Sequence, residues 1–358
     1  MSGRDRGLAD SAGISRIVSD REILVLTGTG GVGKTTIAAV MALEAAMRGR
    51  RVALVTIDPA KRLADALGIE ELGNQPSAIE LGDISGHLVA MMLDTKSTFD
   101  ELVVRHAPTP EQAQRILANN FYSNISNALS GTQEYMAMEK LYELTMSGDY
   151  DLVVVDTPPS RNALAFLDSP NLLARLIDHW LYRALMTPTR RLLRASQILL
   201  RQLSKIVGGE VVEDVVAFFQ AFEGMEAGFK ERSQKVMELL GSDACSFVLV
   251  ASARRDTTIE AVYFADQLTR NNLAIDAVVM NRLQPDIIRL TRRPRAPEFV
   301  PFLRAHDELH ALADREGTHI ASLLSQIEGD PVMVRVPLLD SDVHDLTSLE
   351  RLRALLFV

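Results

Sequence analysis

The chain has 358 residues, 47% of them hydrophobic and 24% charged, enough apolar material for one large α/β domain or two modest ones. A net charge of −9 argues against nucleic acid held by overall electrostatics, and the lone Cys245 excludes an intramolecular disulfide and suits a reducing compartment. Residues 1–20 carry mixed charge without an apolar core, and no apolar run reaches bilayer-spanning length, so a cytoplasmic protein with a flexible tail over 1–20 is expected.

The first element is a strand at EILVL (Glu22–Leu26), followed by TGTGGVGKTT (Thr27–Thr36) and a helix, KTTIAAVMALEAAMRG, stopped by Gly49. Gly28, Gly33, Lys34 and Thr35 satisfy G-x-x-x-x-G-K-[ST]. The order strand, glycine loop, helix is what phosphate binding needs. Glycines let successive N–H groups converge on an anion, and the helix start adds partial positive charge. The amides of Gly30, Gly31, Val32, Gly33, Lys34, Thr35 and Thr36 would then face phosphate oxygens, with the Lys34 ammonium on the β- and γ-phosphates and the Thr35 hydroxyl on Mg²⁺. A plain glycine turn is the bland alternative.

RVALVTIDPAKRLADALG reads as a second strand ending at Asp58, where Pro59 forces a turn. A mostly helical stretch follows, and then DYDLVVVDTPPSRNAL, a strand apolar on both faces that ends at Asp156. Asp156 suits water-mediated Mg²⁺ positioning; taken singly, Asp58 or Asp156 reads equally as a cap or turn residue. From His179 to Gly209 there are six Lys/Arg and no acid, with Leu192, Leu199, Leu203 and Ile206 at helical spacing. This segment is either a packed helix with solvated arginines or a surface for an apolar client helix or an anionic membrane. Met136, Met138 and Met186 would suit an adaptable groove, or simply core filling.

Further strands at Ser246–Ser252, Ile275–Met280 and Val332–Val336 alternate with helices at Thr257–Arg270 and Glu298–Arg315. The alternation indicates one doubly wound parallel sheet. The sequence HDELH (His306–His310) imitates a zinc-protease motif, but Asp307 is a carbon shorter than the required glutamate, and a solvated helix face is expected.

The ordered segments GGVGKTT, DPA, DTPPSRNALAFLDSP, VVMNRLQP and VPLLDSDVHDL resemble the ATPases of the arsenite-pump and tail-anchored-protein-targeting type, over roughly residues 20–358. The resemblance implies an α/β P-loop NTPase with a helical insertion: a tail over 1–20 and one ATPase domain over 21–358, its helical subdomain formed by about 97–147 and 171–242. It implies ATP and Mg²⁺ as cofactors. Asp58 would orient the attacking water and contact the metal shell, and Asp156, with Pro159 in the same switch, would sit near Mg²⁺. Asn281 would read adenine, and Pro337 and Leu338 would pack on the base. It further implies dimer closure coupled to a hydrophobic-helix client or membrane partner, with peripheral membrane association. A partition- or septum-type positioning ATPase and a slow nucleotide-dependent switch are the alternatives.

Departures qualify the resemblance. The family reads G-K-G-G-V-G-K-T, its first lysine reaching the partner's nucleotide; here that position is Thr29. Three outcomes follow: a heterodimer with a lysine-bearing paralogue, a substitute cation such as Lys61, Arg62 or Arg161, or slow hydrolysis. The cysteine pair of the targeting members and the thiolates of arsenite pumps are absent, and Asn162 replaces a switch histidine, so no zinc or arsenite site is expected.

Overall fold

The computed structural model describes residues 3–57, 61–69, 72–82, 84–120, 122–123, 132–158, 214, 217–218, 226–285 and 287–357. In chain order the elements are α1 (Gly3–Asp20), β1 (Ile23–Gly28), α2 (Lys34–Met47), β2 (Arg51–Thr56), α3 (Lys61–Leu67), β3 (Ser77–Ala78) and β4 (His87–Met92). There follow α4 (Thr95–His106), α5 (Pro110–Leu117), α6 (Thr132–Ser147), β5 (Leu152–Asp156), α7 (Glu226–Leu240), β6 (Cys245–Ser252) and α8 (Arg255–Arg270). The chain ends with β7 (Ile275–Leu283), α9 (Val300–Leu324), β8 (Val332–Pro337) and α10 (Leu346–Leu356).

Two compact units result. One comprises residues 1–92, 144–164 and 240–358; the other comprises 93–143 and 165–239. The first holds an eight-stranded sheet in the order β3-β4-β2-β5-β1-β6-β7-β8, parallel throughout except for the short β3. This is the α/β P-loop NTPase architecture expected from the strand–helix alternation. β5 and β6 are buried along their whole length, as strands covered on both faces must be, which is why they read as unbroken apolar runs. The helix α2 is buried almost all round, from Ile37 to Ala46, because its alanines and aliphatic residues let it lie close to β2 and β5. The edge pair β3 and β4 widens the sheet beyond the six strands expected.

Parallel pairing brings the carboxyl ends of the strands to one edge. Leu26 is level with Asp156, Gly28 with Val250, and Ser252 with Asn281. β1 sits between β5 and β6, where the connections reverse direction, so the loop after β1 opens at a topological switch point.

Residues 3–20 form α1, which buries Ile14, Ile17 and Val18 against β8 and α2. Arg48 donates to Ser19 Oγ at 2.9 Å and to Ser15 Oγ at 3.0 Å, and Arg50 bonds the Val18 carbonyl. The apolar residues are spaced by three and one, which makes a narrow stripe that mixed charge hides. At the other end, α10 carries a reciprocal capping box between Asp345 and Ser348 and buries Leu349, Leu352 and Leu356. Its Arg353 meets Glu44 at 2.7 Å, so the carboxylate in the middle of buried α2 is shared by Arg353 and Arg48.

The second unit, where described, is helical. Asp94 caps α4 and Thr109 caps α5, with Pro110 opening the helix. Tyr122 lies 5.2 Å from the Phe99 ring and donates to Asp100 at 2.6 Å; burial pushes its phenol well above the ordinary value. Asp58, Pro59, Gly131, Arg161, Asn162, Met186 and the basic segment 179–209 lie outside the described residues, as do the Lys61 and Arg62 side chains.

Candidate functional site

The loop from Gly28 to Gly33 needs glycine where glycine stands. Gly28, Gly31 and Gly33 have φ of +146°, +76° and +94°, in the region that L side chains avoid. A Cβ at Gly28 would fall on the backbone oxygen of Val250, and one at Gly33 on Nδ2 of Asn281. The left-handed Gly33 starts α2 with no side-chain cap on its first-turn amides, so those donors suit an anion. Gly33→Ala is expected to cost about 1–2 kcal/mol from backbone strain alone, and more as Asn281 is displaced. Thermal unfolding and nucleotide titration of the purified variant measure both effects.

Lys34 is buried and donates from Nζ to the Thr29 carbonyl at 3.0 Å, so its ammonium curls back over the loop. Thr35 Oγ1 donates to Asp156 Oδ2 at 2.7 Å, and Thr56 Oγ1 donates to the same oxygen at 3.0 Å. Asp156 is fully buried at the end of β5, and the neighbouring Thr157 ties back to the Leu26 carbonyl at 2.7 Å. The 2.7 Å separation is an ordinary O–H···O hydrogen bond, and it places a hydroxyl and a carboxylate side by side where they would hold a divalent cation beside the phosphates. Oxygen donors of this hardness suit Mg²⁺.

Thr29 is turned inward. It is 2% exposed, and its hydroxyl has no hydrogen-bond partner among the described residues. The position of the family's lysine therefore presents its carbonyl to Lys34 and hides its side chain.

Asn281 is also engaged within the chain. Its Nδ2 donates to the Val32 carbonyl at 2.8 Å, and its Oδ1 accepts from Arg282 N at 2.9 Å. The carboxamide to which the resemblance assigns adenine thus also forms a strut between the end of β7 and the phosphate loop. Pro337 pairs with Leu283, and half-exposed Leu338 donates its N–H to the Leu283 carbonyl at 2.7 Å.

Arg282 escaped the sequence reading. Held at φ +60°, it donates to the Gly31 carbonyl at 2.9 Å and so pins the crest of the loop. It borders a cavity of about 770 Å³ that opens beside Gly30 and Gly31, with Arg254 and Arg255 at the start of α8 and Arg315 and His319 on α9. Arginines outnumber acids there, since only Asp256 and Glu316 oppose them.

The imidazoles of the zinc-protease look-alike do not lie on a solvated face. His306 is 8% exposed, and its Nε2 lies 3.1 Å from both the Ile288 carbonyl and His310 Nε2. The expectation fails because residues 287–296 fold over this part of α9. Among the described residues no group of three or more His, Cys, Asp or Glu side chains is arranged to hold a metal ion. No helix among them is long and apolar enough to cross a membrane.

A protein described as ATPase GET3 from Malassezia globosa is 28% identical over 72% of this chain and 71% of its own length. A putative arsenical pump-driving ATPase from Chlorobaculum tepidum is 26% identical over 73% of the chain and 61% of its own. An uncharacterized protein of Streptomyces coelicolor is 32% identical over 51% of the chain and 44% of its own. The family model described as anion-transporting ATPase matches residues 21–357, nearly the whole chain, and the chain therefore belongs to that family of ATP-hydrolysing proteins.

Proposed function

We propose that the chain binds Mg²⁺-ATP at the Gly28–Thr36 loop and couples its hydrolysis to dimer closure and to a protein client or membrane partner. One observation carries the reading: Thr35, Asp156 and Lys34 are brought together at the switch point by elements 121 residues apart in sequence, with Thr35 bonded to Asp156 at 2.7 Å. In this reading the amides from Gly30 to Thr36 hold the phosphates, and Lys34 leaves the Thr29 carbonyl to meet them. Thr35 and Asp156 hold Mg²⁺, which when bound neutralises charge on the β- and γ-phosphates. Asp58 orients the attacking water. Asn281 passes from strut to base contact or keeps the loop in shape, while Pro337 and Leu338 flank the base. The partner is a second copy or a paralogue carrying the lysine, and the protein is cytoplasmic, peripheral to membrane when the client is a membrane protein. Titration with a fluorescent ATP analogue and Mg²⁺ tests the binding; an empty site at millimolar nucleotide refutes it.

The buried Thr29 favours slow turnover by the chain alone. A cation delivered across a dimer is worth about 10³–10⁵ in rate in related chemistry. Steady-state turnover of the homogeneous chain is expected to be low and to rise at least tenfold in Thr29→Lys. An unchanged rate in a dimeric variant would rule out the missing lysine as the cause.

A further inference from the structure

We propose that His306, His310 and the Ile288 carbonyl form a binding site for a borderline divalent metal ion such as Zn²⁺ or Co²⁺, separate from the phosphate loop. His306 Nε2 lies 3.1 Å from His310 Nε2 and 3.1 Å from the Ile288 oxygen. Ligands on metal–nitrogen arms of 2.0–2.1 Å stand about 2.9–3.3 Å apart, the lower figure for six-coordinate and the upper for tetrahedral geometry. The observed separations fall in that interval.

Proton chemistry satisfies this cluster poorly. If His306 Nε2 carries its hydrogen, that one hydrogen must divide between a carbonyl and an imidazole. If it does not, its lone pair faces the carbonyl's lone pairs. A cation accepts all three lone pairs at once. On the far side of the ring, His306 Nδ1 is buried without a hydrogen-bond partner among the described residues. Asp307 Oδ1 stands 3.5 Å away, itself held by Arg293 at 2.6 Å, and a small shift would bring it within reach of the ring N–H. A carboxylate behind the non-ligating nitrogen is the usual support of a metal-bound histidine, fixing its tautomer and orientation. Spacing of four on α9 puts both rings on one helix face, 4.4 Å apart at their centroids.

No third His, Cys, Asp or Glu side chain joins them among the described residues. Water therefore completes the shell, and the site exchanges its metal rather than sealing it. Imidazole selects Zn²⁺, Co²⁺, Ni²⁺ and Cu²⁺ over the hard Mg²⁺ that suits Thr35 and Asp156. The loop carrying Ile288 follows the strand that supplies Asn281 and Arg282, so metal would fasten residues 287–296 to α9.

The test uses the untagged full chain, stripped of metal and free of nucleotide. It is titrated with Co²⁺ followed by visible absorption, and with Zn²⁺ followed by calorimetry. One ion per chain is expected for the wild type. His310→Ala, which removes a half-buried ring, should weaken binding by more than the roughly 10- to 100-fold that loss of an outer-shell group costs. Asp307→Asn should weaken it within that range, and His344→Ala, on an exposed loop, should leave it unchanged. Because His306 is buried, its variant is read only after circular dichroism shows a native fold. The proposal is overturned if the wild type takes up no stoichiometric Co²⁺ or Zn²⁺, or if His310→Ala binds as tightly as the wild type.

Discussion

Lys34→Ala is expected to lower ATP turnover by at least about 10²–10³, the loss that follows removal of one preorganised donor from a developing anion. Measured by phosphate release with saturating Mg²⁺-ATP, the residual rate should approach background. The fold should survive. α2 is rich in alanine, and alanine has the highest intrinsic helix propensity. The Thr29 carbonyl loses a charged donor, a loss of about 1.5–3 kcal/mol at most. Lys34→Arg is the sharper variant. It keeps the charge, but a planar fork on a buried stem cannot replace a compact ammonium that must move from a loop carbonyl to a phosphate. Turnover should fall nearly as far as in Lys34→Ala. Recovery of wild-type rate in Lys34→Arg would show that charge alone suffices and that the geometry has been over-read.

The phosphate loop was legible because its backbone demands leave a trace in residue type. Three positive φ angles fall on three glycines, and the next residues are the lysine and threonine the chemistry needs. The central strands were legible for a related reason: burial on both faces removes polar residues from LVVVD and CSFVLVAS, apart from strand-end groups and Ser246. The edge pair β3 and β4 was not, since HLVAMM shows no regular exposed–buried alternation, has little β-branching and is defined by its partner β2. α1 was lost because only Ile14, Ile17 and Val18 mark its inner face. The strut role of Asn281 was beyond reach, because its Val32 partner lies 249 residues away and no local pattern records such a bond. The same holds for Arg282, whose contact with Gly31 exists only once β7 lies two strands from β1.

Asp156→Asn is expected to separate metal positioning from folding. The native carboxylate accepts from Thr35 and Thr56 through one oxygen, Oδ2, and an asparagine oxygen placed there accepts both hydroxyls equally well. The amide nitrogen then occupies the other carboxylate position, presenting hydrogens where negative charge stood. Thermal stability should therefore stay close to wild type, and nucleotide binding without Mg²⁺ should change only a few-fold. The Mg²⁺-dependent gain in nucleotide affinity should vanish, and turnover should drop by about 10³, in the range of lost charge stabilisation in a water-excluded site. Asp156→Ala behaves differently, because it leaves the half-buried Thr35 hydroxyl and the fully buried Thr56 hydroxyl without their acceptor, the buried one costing about 1–3 kcal/mol. That variant should unfold at a visibly lower temperature and lose activity through two causes at once. If Asp156→Asn retains Mg²⁺-dependent turnover, the carboxylate at the end of β5 is a structural acceptor for Thr35 and Thr56, and the metal is positioned from elsewhere.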